Sequence, residues 1–255
     1  MLLAERRQRI VAELRRRGSA HLGDLADTLA VSTMTIRRDI DALAAEGLVT
    51  RTRGGVLLNA EAGAAPPPIP TSAEKEAIAR EAARLVEPGS VVGLAAGSTT
   101  GLLAGHLREV DGLTVVTNSL QIADLLQAPP HGSALPDHSV VLTGGLRTPA
   151  GALVGPVAVH ALEQLHCDVV FLSGNGLAPE TGLTTPNLLE AETNRALVAA
   201  GRHTVVVIDH AKWRQVSLAT IVDIDAIDVV VVDAGLGEAA LAELRSYVPD
   251  VRVAG

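Results

Sequence analysis

A polar stretch near the N-terminus carries side chains that suit contacts with DNA. Ser32 follows a short apolar run and is predicted to cap a helix, because its hydroxyl can accept a hydrogen bond from a free backbone N–H of the first turn. Ile36, Ile40 and Leu43 recur at the spacing of one buried helical face. The start and the exposed side of this helix hold the candidate DNA-binding residues Ser32, Thr33, Met34, Thr35, Arg37 and Arg38.

An exposed helix face of threonine, methionine and arginine suits the DNA major groove, where arginine reaches guanine edges and phosphates. The alternative for this stretch is a solvated amphipathic helix with ordinary surface charge. The preceding segment favours DNA binding. Residues 22–29 predict a short helix with one apolar face, and Ala30-Val31 forms a tight turn before Ser32, which together predict a helix-turn-helix.

A hairpin is predicted after these two helices. Gly47 can end the second helix, and residues 48–53 and 56–58 are predicted strands on either side of Gly54-Gly55. A hairpin with basic side chains at this position is the wing of a winged helix-turn-helix. Arg51 and Arg53 are its candidate DNA contacts.

A second group of residues, in loops that follow predicted strands, suits the binding of a phosphate. The first loop, Gly97-Ser98-Thr99-Thr100, leads from a strand into a helix. Glycine lets the backbone approach a phosphate, which the hydroxyls and the N–H groups of the helix start can then bind. It is not a Walker loop, because no Gly-Lys-Ser/Thr follows. The alternative is a capped helix start.

Two further loops of this kind follow the next predicted strands, and each alone is equally consistent with a turn and a helix cap. Three such loops in succession are harder to explain as turns only. Arg147 gives the third loop a cation suited to a phosphate. The candidate binding residues of these two loops are Asn118, Ser119, Gly144, Gly145 and Arg147.

Three later residues complete the candidate site. Asn175 and Glu192 can read sugar hydroxyls through amide and carboxylate groups, and Lys212 can neutralise a phosphate. The alternative for Lys212 is an exposed loop lysine. In open α/β sheets ligands bind beyond the carboxyl ends of the strands, so these loops are expected at one edge of a sheet.

The elements that must position these loops alternate between apolar runs and helical patterns. Such strands, apolar on both faces, predict a largely parallel α/β sheet covered by helices on both sides. The predicted strands are 90–94, 113–117, 139–143, 168–172, 204–208 and 228–232. The predicted helices are 100–107, 119–126, 155–165, 190–200 and 238–247.

Charge and composition divide the chain of 255 residues into two domains. Residues 1–58 hold ten arginines and seven acids, a balance of +3, whereas residues 59–255 hold eleven basic and twenty-two acidic residues, a balance of −11. A basic head on an acidic body is typical of a DNA-reading domain attached to a separate sensor. Residues 59–71 are rich in proline and predict a linker, which leaves 72–255 as the second domain.

Several classes of protein are disfavoured. The single cysteine, Cys167, fits a reducing cytoplasm, and neither a signal region nor an apolar run of membrane-spanning length is present. A metal-sensing protein is also disfavoured, because His160 and His166 are six residues apart on a predicted helix and do not share a face. No metal, cofactor or membrane partner is expected, and a cytoplasmic location is.

The chain also resembles a known family. Residues of the first domain resemble the signature of the DeoR-type (deoxyribose-operon repressor) transcriptional regulators, and the order of the later loops resembles their sensor domain. The first match comprises Ser32-Thr33-Met34-Thr35-Ile36-Arg37-Arg38-Asp39-Ile40, Leu43, Glu46-Gly47-Leu48-Val49, Arg51 and Gly54-Gly55. The second includes Glu74-Lys75, Gly97-Ser98-Thr99-Thr100, Thr117-Asn118-Ser119, Gly144-Gly145, Arg147, Asn175-Gly176, Glu190-Ala191-Glu192, and Asp209 with Lys212.

The resemblance implies a ligand-controlled repressor of a carbohydrate-utilisation operon. Residues 72–255 would bind a phosphorylated sugar or polyol as effector and assemble the chain into a homo-oligomer, a dimer or a tetramer. This domain would be similar in fold to ribose-5-phosphate isomerase and coenzyme A transferases. Many relatives carry an aspartate at the position of Ala95 and a valine-lysine pair at Thr193-Asn194, so the effector is expected to differ from the better-known ones.

The main alternative is a sugar-phosphate isomerase-like enzyme with an added DNA-binding head. Residues 92–99 resemble the phosphate loop of ribose-5-phosphate isomerases. Residues 171–176 contain no acid, however, and proton abstraction next to a carbonyl needs a positioned base. Glu190, Glu192 and Asp209 stay open as bases, and no catalytic residue is predicted.

Overall fold

Two compact units make up the chain, residues 1–68 and residues 69–255. The computed structural model describes residues 6–7, 9–10, 13–14, 19–29, 31–45, 49–52, 55–58, 71–127 and 138–255. The predicted linker lies almost entirely outside the described residues, as do Gly47, Arg53 and Gly54.

The first unit is a winged helix-turn-helix, as predicted. Residues 6–7, 9–10 and 13–14 are helical, and helices α1 (Leu22–Leu29) and α2 (Thr33–Ala45) follow. Strands β1 (Ser19–His21), β2 (Val49–Thr52) and β3 (Gly55–Leu58) form an antiparallel sheet in the order β1-β3-β2. Its core contains Ile10, Leu14, Leu25, Ile36, Ile40 and Leu43, all essentially inaccessible to solvent.

Two polar interactions fix α2 within this unit. The Thr35 N–H donates to Ser32 Oγ over 3.1 Å, which confirms the predicted cap. Asp39 is buried on the inner side of α2 and pairs with Arg6, whose Nε lies 2.5 Å from Asp39 Oδ2. This hydrogen bond raises the pKa of Arg6. The N-terminal helical residues are thereby tied to α2, because a buried carboxylate needs a charged partner.

The second unit alternates strands and helices, as predicted. Its first strands are β4 (Val91–Leu94), β5 (Thr114–Thr117), β6 (Ser139–Leu142), β7 (Leu146–Arg147) and β8 (Leu153–Val154). The later ones are β9 (Cys167–Leu172), β10 (Gly176–Ala178), β11 (Gly182–Thr185), β12 (Gly201–Ile208), β13 (Ala219–Val222), β14 (Val229–Asp233) and β15 (Asp250–Ala254). The helices are α3 (Ala73–Ala83), α4 (Ser98–Leu107), α5 (Leu120–Gln127), α6 (Pro156–Leu162), α7 (Leu188–Ala200) and α8 (Glu238–Tyr247).

Seven of these strands form one parallel sheet in the order β15-β14-β12-β9-β4-β5-β6. Its two faces bury separate apolar clusters, since successive side chains of a strand alternate between them. On β9, Val169 and Phe171 face the cluster that includes α3, α4 and α5, whereas Val170 and Leu172 face the cluster that includes α7 and α8. The predicted fold class, a helix-turn-helix followed by a parallel α/β domain, is confirmed.

Shorter strands lie outside the main sheet. β10, β11 and β13 form a small antiparallel sheet, and β7 and β8 form a two-stranded ladder. Among the residues that the structure describes, the helices are too short or too polar to cross a membrane.

Candidate functional site

The exposed face of α2 carries the residues predicted to contact DNA. Thr33, Met34, Arg37 and Arg38 are exposed, with 59% of Met34 accessible, whereas Thr35 is half-buried. Ser32 is exposed too, but its hydroxyl is engaged in the cap. The solvent-facing side of this helix thus presents two guanidinium groups and no carboxylate at its N-terminal end, which suits a polyanion.

The wing residues are only partly described. Arg51 lies on β2 opposite Val56 of β3, and its side chain lies outside the described atoms. The prediction for Arg53 also lies outside the described residues. In this unit the candidate interface therefore consists of the α2 face.

A cavity of about 230 Å³ opens at the carboxyl edge of the main sheet, where β4, β5, β9 and β12 end. Five of the predicted effector-binding residues line it: Gly97, Ser98, Asn118, Asn175 and Lys212. This is the edge at which open α/β sheets bind ligands. The volume is below the roughly 300–1,000 Å³ typical of drug-sized ligand pockets, which favours a small metabolite.

The Gly97-Ser98-Thr99-Thr100 loop forms one wall of this cavity. Gly97 precedes the first turn of α4, and no side chain caps this helix start, so the N–H groups of its first turn are available to a ligand. Thr100 Oγ1 donates to the Gly97 carbonyl over 3.1 Å. Thr99 is fully buried, and its hydroxyl has no hydrogen-bond partner in the part of the chain that the structure describes. Gly97 and Ser98 therefore face the cavity, and the two threonines lie behind them.

Two lysines border the loop, and they are the chain's only lysines. Lys75 Nζ, from the first turn of α3, donates to Ser98 Oγ over 3.1 Å. Lys212 Nζ donates to Ser173 Oγ over 3.3 Å and lies 4.0 Å from Asp209 Oδ2. Lys212 was a predicted effector-binding residue, whereas Lys75, whose helix precedes the first strand, was noted only as part of the resemblance to the sensor domain. The available signal was its residue type in a chain with nineteen arginines.

Asn118 and Ser119 shape the neighbouring loop. Asn118 Oδ1 accepts from the Ala96 N–H over 2.7 Å, and its Nδ2 donates to the Leu153 carbonyl over 3.2 Å. Ser119 Oγ accepts from the Ile122 N–H and so caps α5. Asn118 thus holds the Ala96 backbone beside the cavity, and Ser119 acts as the helix cap that was the alternative interpretation.

The third predicted loop does not reach the cavity. Gly144 and Gly145 have φ angles of 70° and 115°, which residues other than glycine rarely adopt. A Cβ at Gly145 would also lie 2.6 Å from the Val154 carbonyl oxygen. The turn into β7 therefore requires these glycines, and Arg147 is exposed on β7 away from the cavity lining.

The acidic residue that lines the cavity is Glu190, and the predicted Glu192 is exposed outside it. Residues two positions apart on a helix are rotated by about 200° around its axis, so the Glu190 and Glu192 side chains of α7 point in nearly opposite directions. Glu190 Oε2 accepts from Thr185 Oγ1 over 3.3 Å. The lining also contains Ser173, which was not a predicted binding residue, and Asn194, one of the positions that the family resemblance places near the ligand.

Two family models match the sequence. One, described as the DeoR-like helix-turn-helix domain, matches residues 6–62, and the other, the DeoR C terminal sensor domain, matches residues 71–234. The chain belongs to the DeoR family. The resemblance found in its motifs is confirmed, and the second unit is the DeoR sensor domain.

Relatives of this DeoR-family chain are transcriptional regulators. It is 33% identical to the HTH-type transcriptional regulator GolR of Listeria innocua, with 98% of each chain aligned. It is 34% identical to the HTH-type transcriptional regulator GlpR of Haloferax volcanii over 96% of each chain. It is 29% identical to the glycerol-3-phosphate regulon repressor of Escherichia coli over 92% of each chain. The protein is accordingly a DNA-binding transcriptional regulator.

Among solved structures, the DeoR-family chain is similar to ribose 5-phosphate isomerase A of Methanocaldococcus jannaschii. The TM-score is 0.39 at 19% identity, with 55% of this chain and 53% of the isomerase covered.

Lys212 lines the cavity of the DeoR sensor domain, and Lys75 lies next to it through its hydrogen bond to Ser98. Burial lowers the pKa of Lys212, and the like charge of Lys75 lowers it further, while Asp209 opposes both effects. A bound anion would compensate the buried ammonium and relieve the repulsion between the lysines. Without a ligand, the charged form of Lys212 is therefore disfavoured.

The affinity of this DeoR-family regulator for a phosphorylated ligand is expected to fall as pH rises through the lowered pKa of Lys212, because the neutral amine no longer attracts an anion. Without ligand the free energy of unfolding should rise with pH between that pKa and 10.5, since the unfolded chain holds the proton longer. Calorimetry and denaturant unfolding above about pH 7, where a phosphate monoester stays dianionic, would measure both slopes.

Lys212→Met should flatten both pH dependences, and Arg245→Met, which alters an exposed residue of α8, should change neither. Equal pH dependence in the wild type and Lys212→Met would contradict the assignment of the slopes to this amine.

Proposed function

We propose that this DeoR-family protein represses a carbohydrate-utilisation operon and that a phosphorylated sugar or polyol controls its affinity for DNA. The observation that carries the proposal is the position of the chain's only two lysines. Lys75 donates to Ser98 at the uncapped start of α4, Lys212 donates to Ser173 of the cavity lining, and the two are close enough for Lys75 to lower the pKa of Lys212. The names of the relatives support it, since one of them is a glycerol-3-phosphate regulon repressor.

The phosphate would occupy the side of the cavity formed by Ser98, Ser173 and the two lysines. Helix N–H groups, hydroxyls and ammonium groups are the donors that a phosphate accepts from. The hydroxyl groups of the ligand would face Asn175 and Glu190. The proposed site now includes Lys75 and Glu190. It no longer includes Gly144, Gly145, Arg147 and Glu192.

Operator binding is assigned to α2, with the wing as a second contact. Arg38→Ala is expected to weaken binding to the selected operator by about 1–3 kcal/mol and to relax specificity at one base pair, if Arg38 reads a guanine edge. Fluorescence anisotropy on the operator and on its single-base variants would measure this. Arg245→Ala provides the matched control, because it removes an exposed arginine from the sensor domain. Uniform weakening across all sequences would instead assign Arg38 to a phosphate.

Homo-oligomer formation through residues 72–255 is part of the proposal, with residues 1–58 as the DNA-binding domain and 59–71 as the linker. A single head with a charge of +3 offers few contacts, and two linked heads raise the effective concentration at paired half-sites. Sedimentation of the full chain at micromolar concentration would test it, and a monomer throughout that range would contradict it.

The ligand is proposed as an effector and not as a substrate. The loop after β9 places Ser173, Gly174 and Asn175 at the cavity and supplies no general base. The carboxylate that does line the cavity, Glu190, accepts a hydrogen bond from Thr185 and is assigned to a ligand hydroxyl. Such a regulator works where the chromosome is, in the cytoplasm. Incubation with aldose and ketose phosphates should leave their ratio unchanged, and isomerisation at catalytic protein concentrations would support the enzymatic alternative.

Selection of operator DNA from random duplexes, with and without sugar phosphates, tests the function as a whole. An effector can shift the DNA affinity only by its differential affinity for two states, so a coupling of about 1–3 kcal/mol is expected. A site enriched equally in both conditions, together with no shift of melting temperature by any phosphorylated sugar, would remove the proposed control.

A further inference from the structure

One side chain of the cavity has an unmet hydrogen-bonding requirement. Asn194, on the inner face of α7, is 7% exposed and lines the cavity. Its Oδ1 is buried without a hydrogen-bond partner among the described residues. A buried polar atom without a partner is uncommon and costs free energy, which indicates that a ligand supplies the partner.

Two further groups of the same wall define what that ligand must offer. Glu190 lies one helical turn before Asn194 on α7, so both side chains point the same way, and its carboxylate only accepts hydrogen bonds. Thr185, at the end of β11, donates to Glu190 Oε2 over 3.3 Å. The donor of Thr185 is thereby used within the protein, and this wall presents acceptor atoms to the cavity.

The neighbouring Thr193 provides a contrast with Asn194, because its hydrogen bonds are all made within the protein. Its hydroxyl donates to the Leu189 carbonyl over 2.9 Å and accepts from the Gly155 N–H over 3.2 Å. Thr193 is thus fully paired inside the protein, at the junction of β8 and α6. Asn194 differs in that its side chain lines the cavity while its Oδ1 has no hydrogen-bond donor among the described residues.

We propose that the effector presents a hydrogen-bond donor, and no negative charge, to Asn194 and Glu190. This inference rests on the proposed function, in which the phosphate occupies the lysine side. The effector is then a monophosphate whose other end carries a hydroxyl or an ammonium group. A carboxylate or a second phosphate at that end would face the Glu190 carboxylate and leave Asn194 Oδ1 unpaired.

Four phosphates would test the proposal by calorimetry on the full-length protein: glucitol 6-phosphate, glucosamine 6-phosphate, 6-phosphogluconate and fructose 1,6-bisphosphate. Glucitol 6-phosphate and 6-phosphogluconate are the matched pair, because both are acyclic and they differ only at C1, which is a hydroxymethyl group in one and a carboxylate in the other. Glucitol 6-phosphate and glucosamine 6-phosphate separate a hydroxyl from an ammonium donor. 6-Phosphogluconate and fructose 1,6-bisphosphate are expected to bind at least about tenfold more weakly than the better of the other two, because each would leave one hydrogen bond unmade and place a negative charge beside Glu190.

Two variants assign that discrimination to named atoms. Glu190→Gln should raise the affinity for 6-phosphogluconate relative to glucitol 6-phosphate, because it removes the repelling charge and keeps the shape. Asn194→Ala should weaken the donor-bearing ligand by about tenfold and leave the weak binding of 6-phosphogluconate nearly unchanged. A merely structural role of either residue would change all ligands alike, and melting temperatures of the variants report whether they fold.

The outcomes separate this inference from the proposed function. If the four phosphates bind with equal affinity, the donor requirement is wrong and the sugar-phosphate sensor stands. If 6-phosphogluconate or the bisphosphate binds best, the polarity of the cavity is the reverse of the one proposed. If none of them binds while an unphosphorylated sugar does, the proposed function fails and this inference with it.

Discussion

The Lys75→Met, Lys212→Met double variant is expected to bind a phosphorylated polyol on the order of a hundred to ten thousand times more weakly than the wild type. Each hydrogen bond from a charged group contributes about 1.5–3 kcal/mol, and two are removed. Methionine keeps most of the volume of lysine, so the loss is attributable to the ammonium groups. Calorimetric titration with a phosphorylated and an unphosphorylated form of the same polyol would measure it.

Each single variant should account for part of that loss, and Arg245→Met should cause none. The ligand-free Lys212→Met protein should be at least as stable as the wild type near neutral pH, since burial disfavours the Lys212 ammonium. Loss of affinity for the unphosphorylated polyol to the same extent would mean that the lysines shape the cavity and do not bind the phosphate.

Ile40→Ala is expected to abolish operator binding while effector binding persists. Ile40 is fully buried in the core of the first unit, and truncation of such a residue costs about 2–5 kcal/mol. A small domain buries a lower fraction of its surface and has little stability to lose. Differential scanning calorimetry should show a lower melting temperature for the first unit, and gel-shift assays should show the loss of DNA binding.

The matched variant in the second unit is Phe171→Ala. Phe171 is the chain's only phenylalanine and is fully buried between the main sheet and its helices, so its truncation should cost about 3–5 kcal/mol. In Phe171→Ala, effector binding should be lost at a lower temperature than operator binding. If Ile40→Ala and Phe171→Ala both shift a single common transition, the two units do not unfold independently and the proposed domain division is wrong.

Most of the fold could be predicted because apolar periodicity reports burial directly. Val169 and Phe171 alternate with Val170 and Leu172 across a sheet that is covered on both faces, and such a run is recognisable in the sequence. β15 was not predicted, because it is an edge strand in which Asp250 and Arg252 interrupt the apolar pattern. The small sheet of β10, β11 and β13 was not predicted either, since glycine or threonine interrupts the apolar run in each of these short strands.

The candidate site was less predictable, because it depends on how distant elements meet. The loops after β4, β5, β9 and β12 were identifiable from the rule that ligands bind at the carboxyl edge. Lys75 enters from a helix that precedes every strand of the sheet, and its position depends on the packing of α3. The choice between Glu190 and Glu192 depends on the rotation of α7, which the local sequence does not determine. The unpaired oxygen of Asn194 could be recognised only from the surroundings of that atom.

Because the chain has lysine at two positions only, amine-directed reagents can modify the proposed effector site selectively. Reagents that acylate or alkylate side-chain amines can react only with Lys75 and Lys212, and a protease that cuts after lysine can yield only the fragments 1–75, 76–212 and 213–255. Ligand occupancy can therefore be followed by protection from labelling or cleavage, without any DNA in the experiment. Acetylation within the cell would likewise remove charge from this protein's side chains only where an anion is proposed to bind.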